Sequence, residues 1–336
     1  MKILQIVNPS VPLPATTIGG VERIVEYLMT ELQEAGHEVT FMGHDESKVP
    51  AGITHIPIGT YNDQKQTLKK VWKHLLTNRY DVIHNHGRLI YFLPKIWSNT
   101  RKIHTFHMGE LDAKNLGRFL ALHIKNLTFT PCGKWIQDKY GHLGGNWHYI
   151  NNGIPIKKYQ FKQIAIDKDS PLVIICRIGP GKGLNDAIDI AKLANRKLII
   201  AGKIGDYTYE KEWFQDHVNV HCDGVNIKFI GEVNDAQKNE LLNIAAALII
   251  PTRDSEAFNT TMLEANACGC PVISYARYCF PEYITQGLNG FTANEKKDLA
   301  DIAKDIHKLD RRACRSYFES GYTSKVMSSN YLEVYR

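Results

Sequence analysis

Along the first half of the chain, compact apolar runs alternate with segments whose apolar residues recur every three or four positions. Lys2–Val7 (KILQIV) is a run of the kind that forms a strand buried on both faces of a parallel sheet. A Pro-rich loop over 8–18 and the pair Gly19-Gly20 follow, and then Val21, Ile24, Val25, Leu28 and Leu32 share one face of a helix. The segment AGHEVTFMG supplies a glycine stop and a second strand, and YDVIHNH (Tyr80–His86), KIHTFH (Lys102–His107) and LTFTPC continue as strands. The rhythm restarts after YINNGIP (Tyr149–Pro155) and a polar stretch, Lys157–Ser170. There PLVIICRIG, RKLIIAG, IKFIGEV, ALIIPT and CPVISY read as strands, with GLNDAIDIAKLA and DAQKNELLNIAA as helices between them. Strands alternating with helices predict an α/β protein with two doubly wound parallel sheets joined near residue 155. The tail, RSYFESGYTSKVMSSNYLEVYR, predicts one or two helices with no strand after them.

Composition agrees with that picture. At 336 residues the chain exceeds what one core usually holds, and 43% hydrophobic with 23% charged residues is ordinary for a soluble globular protein. The opening MKILQIV reaches Asn8 and Pro9 too soon for a signal peptide, and no run approaches the ~20 apolar residues of a spanning helix. Seven cysteines, an odd and scattered set, suit a reducing, cytoplasmic setting. A formal charge of +6 without an arginine-rich or aromatic-interleaved basic stripe argues against nucleic acid as a partner. The densest basic piece, Leu68–Leu76 (LKKVWKHLL), puts Leu68, Val71, Trp72 and Leu75 on one side of a helix and Lys69, Lys70 and Lys73 elsewhere. It reads as a solvated surface helix, or as a contact for anionic lipid headgroups.

Ligands of open α/β sheets sit beyond the carboxyl ends of the strands, so the loops there carry the candidate chemistry. Gly19-Gly20-Val21-Glu22 opens a helix after the first strand; it suits close approach of a phosphate to a helix N-terminus, or is a plain flexible turn. CRIGPGKG (Cys176–Gly183) matches neither GxGxxG nor GxxxxGK[ST], but places Arg177 and Lys182 together; two cations there suit a diphosphate, or are plain surface charges at a helix start, where the macrodipole disfavours them. His107 at the end of HTFH is a candidate donor to a sugar hydroxyl or phosphate, or a satisfied histidine at the edge of the core. His84 and His86 share one sheet face without a nearby carboxylate, which argues against a metal site, and Asp167–Asp169 (DKD) reads as a solvated turn. In SEAFNTTMLEANACGCPVISY, Glu256 falls in the loop after the strand ALIIPT and Glu264 in the second turn of a helix beginning near Asn259. Two carboxylates so placed are not stacked helix neighbours, and Cys268 and Cys270 beside the stop glycine Gly269 read as packing residues.

Glu256-x7-Glu264 followed by ACGCPVI resembles the EX7E signature of family 4 retaining glycosyltransferases with the GT-B fold. So do Gly19-Gly20-Val21-Glu22, His107 in HTFH, NNGIP at the junction, and CRIGPGKG, all in the family's order over residues 1 to about 290. The resemblance implies two Rossmann-like domains facing a cleft: an acceptor domain, 1–153, completed by a crossover helix at about 318–336, and a nucleotide-sugar domain, 154–317. It implies transfer of a sugar from a nucleotide sugar, UDP-linked first and GDP-linked second, to a saccharide or glycoconjugate hydroxyl, by front-face attack and without metal or other cofactor. Gly19 and Gly20 would approach the distal phosphate; Arg177 and Lys182 would neutralise the departing diphosphate; Glu256 would bind sugar hydroxyls and Glu264 the ribose. Amides from Phe258 through Asn259 to Thr260 would hold sugar and phosphate oxygens, His107 would contact the transferred sugar, and Gly231 and Val233 would line the base pocket. Such enzymes serve polysaccharide or glycoconjugate assembly in the cytoplasm, some at the inner face of a membrane. Ala257, Asn259 and Thr260 depart from the commoner glycine- or proline-containing pattern. A two-domain oxidoreductase, or a nonenzymatic nucleotide-sugar binder, is the competing expectation.

Overall fold

The computed structural model describes residues 1–15 and 19–336. The chain divides into two compact units, Met1–Pro155 with Thr323–Arg336 and Ile156–Tyr322. In the first, β1 (Lys2–Ile6), β2 (Glu38–Gly43), β3 (Thr54–Pro57), β4 (Val82–Asn85), β5 (Arg101–His104), β6 (Leu127–Phe129) and β7 (Asn146–Trp147) form one sheet. Its order is β3-β2-β1-β4-β5-β6-β7, and the pairs are parallel. In the second, β8 (Leu172–Ile175), β9 (Leu198–Ala201), β10 (Ile227–Phe229), β11 (Ala247–Ile250), β12 (Val272–Tyr275) and β13 (Gly290–Ala293) run in the order β10-β9-β8-β11-β12-β13, also parallel. Each sheet therefore reverses its strand order once, at β1/β4 and at β8/β11, and such reversals open a crevice for ligands.

The central strands are buried on both faces, which is why they read as unbroken apolar runs. Helix Gly20–Glu34 buries Ile24, Val25, Leu28 and Leu32, the face that its periodicity predicts. The second unit's core gathers Ile174, Ile188, Leu198, Ile249 and Ile273 between sheet and helices. Three strands carry no readable run: β3 is half exposed, β7 spans two residues, and β13 reads GFTA. β5 ends at His104, so His107 lies beyond the strand rather than on it, because neighbouring β4 ends at Asn85 and offers no further ladder.

Helix Gln64–Thr77 buries Val71 and Leu75 and leaves Leu76 exposed. No helix among the described residues is long and apolar enough to cross a membrane. Asp167 accepts from the amides of Asp169 and Ser170, the geometry of a solvated turn. The tail forms two helices: Arg311–Gly321 stays with the second unit, and the return to the first begins at Thr323. There Ser324–Tyr335 packs against Gly20–Glu34, with Ser324 donating to Glu31.

Candidate functional site

A cavity of about 220 Å³ lies at the β8/β11 reversal of the second unit. Its walls come from the end of β8 with Cys176 and Arg177, from Lys182, and from the loop after β11 with Glu256, Phe258, Asn259, Thr260 and Thr261. Close backbone approach builds it. Gly183 sits at φ +74, and a Cβ there would stand 1.9 Å from the Pro251 carbonyl oxygen. Thr252 Oγ1 donates to the Gly181 carbonyl at 3.1 Å and the Arg253 amide donates to the same oxygen at 3.0 Å. The loop carrying Lys182 is thus fastened to the loop carrying Glu256.

Lys182 Nζ lies 2.7 Å from Glu256 Oε1 and 3.3 Å from Asp254 Oδ2. Burial pushes the Lys182 ammonium down, but the two carboxylates outweigh it and hold its pKa above the ordinary lysine value. Arg177 donates to Glu210, whose carboxylate is almost fully buried while the Arg177 side chain is 49% exposed. Glu210 Oε2 also accepts from the Tyr207 amide at 3.3 Å, so the anchor is itself held. Burial pushes the Cys176 thiol up to about 12, which keeps it protonated and poor as a nucleophile. Helix Thr260–Ala267 starts at this wall, with the Asn259 side chain accepting from the Met262 amide at 3.3 Å.

Glu264 is placed elsewhere than the cavity wall. It is buried, accepts from Tyr159 Oη at 2.6 Å and pairs with Lys238 Nζ at 2.6 Å. Gly231, at φ +75, accepts from the Gly202 amide, and Val233 lines a separate, open groove of about 540 Å³ with Ile164, Gln237 and Ile244. Cys268 and Cys270 are buried with Gly269 at φ +68 between them. The structure thus gathers Arg177, Lys182, Glu256, Phe258, Asn259 and Thr260, and sets Glu264, Gly231 and Val233 outside that cavity. Glu210, Asp254, Lys238 and Tyr159 escaped the sequence reading. Arg177 and Glu210 are 33 positions apart, and Tyr159 and Glu264 105, so no local spacing signals either pair.

The first unit has a cavity of about 310 Å³ at its own reversal, β1/β4. Val21, Glu22, His86, His104 and His107 line it, together with Asn8 and Met108. Val21 and Glu22 at the helix start and His107, far apart in sequence, therefore meet, while Gly19 and Gly20 stand outside the cavity lining. Gly19 precedes the helix at φ +121, and a Cβ there would stand 3.0 Å from Glu22 Oε2. Helix Gly20–Glu34 has its first residue at Gly20. Burial pushes the Glu22 carboxyl up, pushes His107 down to about 4 and His104 down to about 3. His107 Nε2 lies 2.9 Å from His86 Nδ1.

The family described as Glycosyl transferases group 1 matches residues 156–315, and the family described as Glycosyltransferase Family 4 matches residues 18–158. The whole chain aligns with the glycogen synthase of Mycobacterium tuberculosis at 22% identity over 399 residues, covering 94% of that protein. Among solved structures, sucrose-phosphate synthase from Thermosynechococcus elongatus matches with a TM-score of 0.79 at 18% identity, over 99% of this chain and 98% of that one. HepE of Anabaena, solved in complex with UDP-glucose, matches with a TM-score of 0.76 at 18% identity, over 99% of this chain and 98% of that one.

Proposed function

Since the chain belongs to the family 4, group 1 glycosyltransferases and has their GT-B fold, we propose that it is a retaining enzyme using a UDP-linked sugar. It transfers that sugar to a hydroxyl of a saccharide or glycoconjugate, without a metal ion. The observation that carries this reading is the meeting of Arg177, Lys182 and Glu256 on the wall of one cavity at a strand-order reversal. Phosphoryl leaving groups need charge stabilisation where the negative charge develops, and preorganised cations supply it without a proton transfer. Lys182 and Arg177 are such cations, each steered by a carboxylate. Glu256, freed from Lys182 as the diphosphate arrives, turns to sugar hydroxyls, while the start of helix Thr260–Ala267 offers amides to the phosphate side. Cys176 stays a thiol and Glu256 is engaged by sugar hydroxyls, which favours front-face attack by the acceptor hydroxyl over a covalent intermediate. Glu264 acts through the ribose only if Lys238 releases it; its resting role is to anchor helix Thr260–Ala267. The first unit's cavity, with His107 neutral, takes an uncharged sugar.

The UDP-glucose held by HepE makes that donor the first to test. UDP and UDP-glucose are expected to raise the melting temperature, and transfer to a saccharide is expected to continue in EDTA with the donor's anomeric configuration kept in the product by NMR. No thermal response to any nucleoside diphosphate would sink the proposal. A response to GDP alone would move the base, and a strict metal requirement would remove the metal-free mechanism.

A further inference from the structure

His107 stands at one end of a buried hydrogen-bonded chain whose other members were not expected at the site. Its Nε2 meets His86 Nδ1 at 2.9 Å, and His86 Nε2 meets Gln5 Oε1 at 2.8 Å. Gln5 Nε2 donates to Tyr335 Oη at 3.2 Å. That hydroxyl lies 2.5 Å from His84 Nδ1, and His84 Nε2 lies 2.7 Å from Thr105 Oγ1. Gln5, His84, His86, Thr105 and Tyr335 are all buried, so bulk water does not reorient them.

The chain has a direction. An amide oxygen only accepts, so His86 donates from Nε2 to Gln5. Burial holds His86 well below its ordinary pKa, and a neutral imidazole carries one N–H, so His86 Nδ1 accepts. His107 must then donate from Nε2. At the far end the Gln5 amide nitrogen donates to Tyr335, whose hydroxyl is hydrogen-bonded to His84 Nδ1, as His84 Nε2 is to Thr105. His107 Nδ1 has no partner among the described residues.

We infer that Gln5, His86 and Tyr335 are positioning residues that hold His107 as the Nε2–H tautomer, leaving Nδ1 as its hydrogen-bond acceptor in the first-unit cavity. Resting on the sugar-site reading of that cavity, this makes its preferred ligand group a hydroxyl that donates. The opposite tautomer would donate instead and would suit a phosphate or carboxylate oxygen. The last helix of the chain would thereby set what the cavity recognises, through Tyr335.

Nitrogen-15 spectroscopy of the histidine side chains in the intact protein tests this at pH 7. His107 and His86 are expected as Nε2–H tautomers. Tyr335→Phe keeps the ring but removes the hydroxyl, and Gln5→Met removes the amide; each is expected to shift His107 toward a tautomer mixture. An Nδ1–H His107 in the unaltered protein, or a His107 signal unmoved in both variants, would overturn the inference. The first of these needs no variant to fold. In transfer assays Tyr335→Phe is expected to raise KM for the sugar roughly 2- to 10-fold, the size of one hydrogen bond, with kcat less affected. A shifted tautomer with unchanged KM would support the relay and reject the sugar-site reading.

Discussion

Both cavities open where strand order reverses, β1/β4 in the first unit and β8/β11 in the second, yet their walls differ in chemistry. The first is lined by His86, His104 and His107, uncharged because burial disfavours the imidazolium. The second is lined by Arg177, Lys182 and Glu256, charged and partly exposed, each paired with a group of opposite sign. The imidazoles of the first, with the Glu22 carboxyl beside them, suit a polyol, whose hydroxyls give and take single hydrogen bonds. Paired charges suit an anion, because an incoming diphosphate exchanges one ionic partner for another instead of stripping a bare cation of water. On the proposed reading, the same architecture would separate recognition of an uncharged ligand from stabilisation of a charged leaving group.

The largest expected effect tests the charged side. Lys182→Ala should lower kcat about 10²–10³-fold, the loss seen when one preorganised donor is removed, with a much smaller change in KM. An unchanged kcat with raised KM would reduce Lys182 to a ground-state binder and erase the contrast. The next tests the neutral side. The folded-state pKa values of His104 and His107, about 3 and about 4, lie below the ordinary 6.5, so their contribution is present above pH 6.5 and lost as pH falls toward 4. Urea unfolding should therefore lose on the order of 2 kcal/mol between pH 7 and pH 5 per such buried histidine. A flat profile over that interval would mean that the imidazoles are not held neutral. The smallest separates the two partners of Lys182. Asp254, at 3.3 Å and half exposed, should cost less than ~0.5 kcal/mol of stability as Asp254→Asn. A larger loss in a thermal or denaturant melt would show that it shares the role given to Glu256.

Much of this was legible beforehand. Buried parallel strands are apolar throughout and helix faces repeat every three to four residues, so β1, β2, β4, β5 and β6 and the helix after β1 could be read directly, whereas helix Ala113–Leu120 between β5 and β6 was not. The edge strands β3, β7 and β13 could not, since a strand paired on one side needs no continuous apolar run. Of the candidate site, Arg177, Lys182 and Glu256 were visible as residue types at strand ends, and the structure joined them. His86 was visible only as half of an HxH pair; its role as a link between Gln5 and His107 depends on strands β1 and β4 being neighbours. Glu264 was visible as half of a spaced carboxylate pair, but helix geometry turns it toward Tyr159 and Lys238.

What the sequence determined by itself was local: which segments are strands or helices, where glycines permit sharp turns, and which polar residues sit at strand ends. Those follow from short-range periodicity and backbone sterics, which act over a few residues. What only the tertiary structure decided was pairing and protonation: Arg177 with Glu210, Lys238 with Glu264, and Tyr335 with Gln5 and His84. Those depend on which strands lie side by side and how deeply each group is buried. Desolvation and Coulomb attraction act through space, so residues 330 positions apart along the chain meet as neighbours.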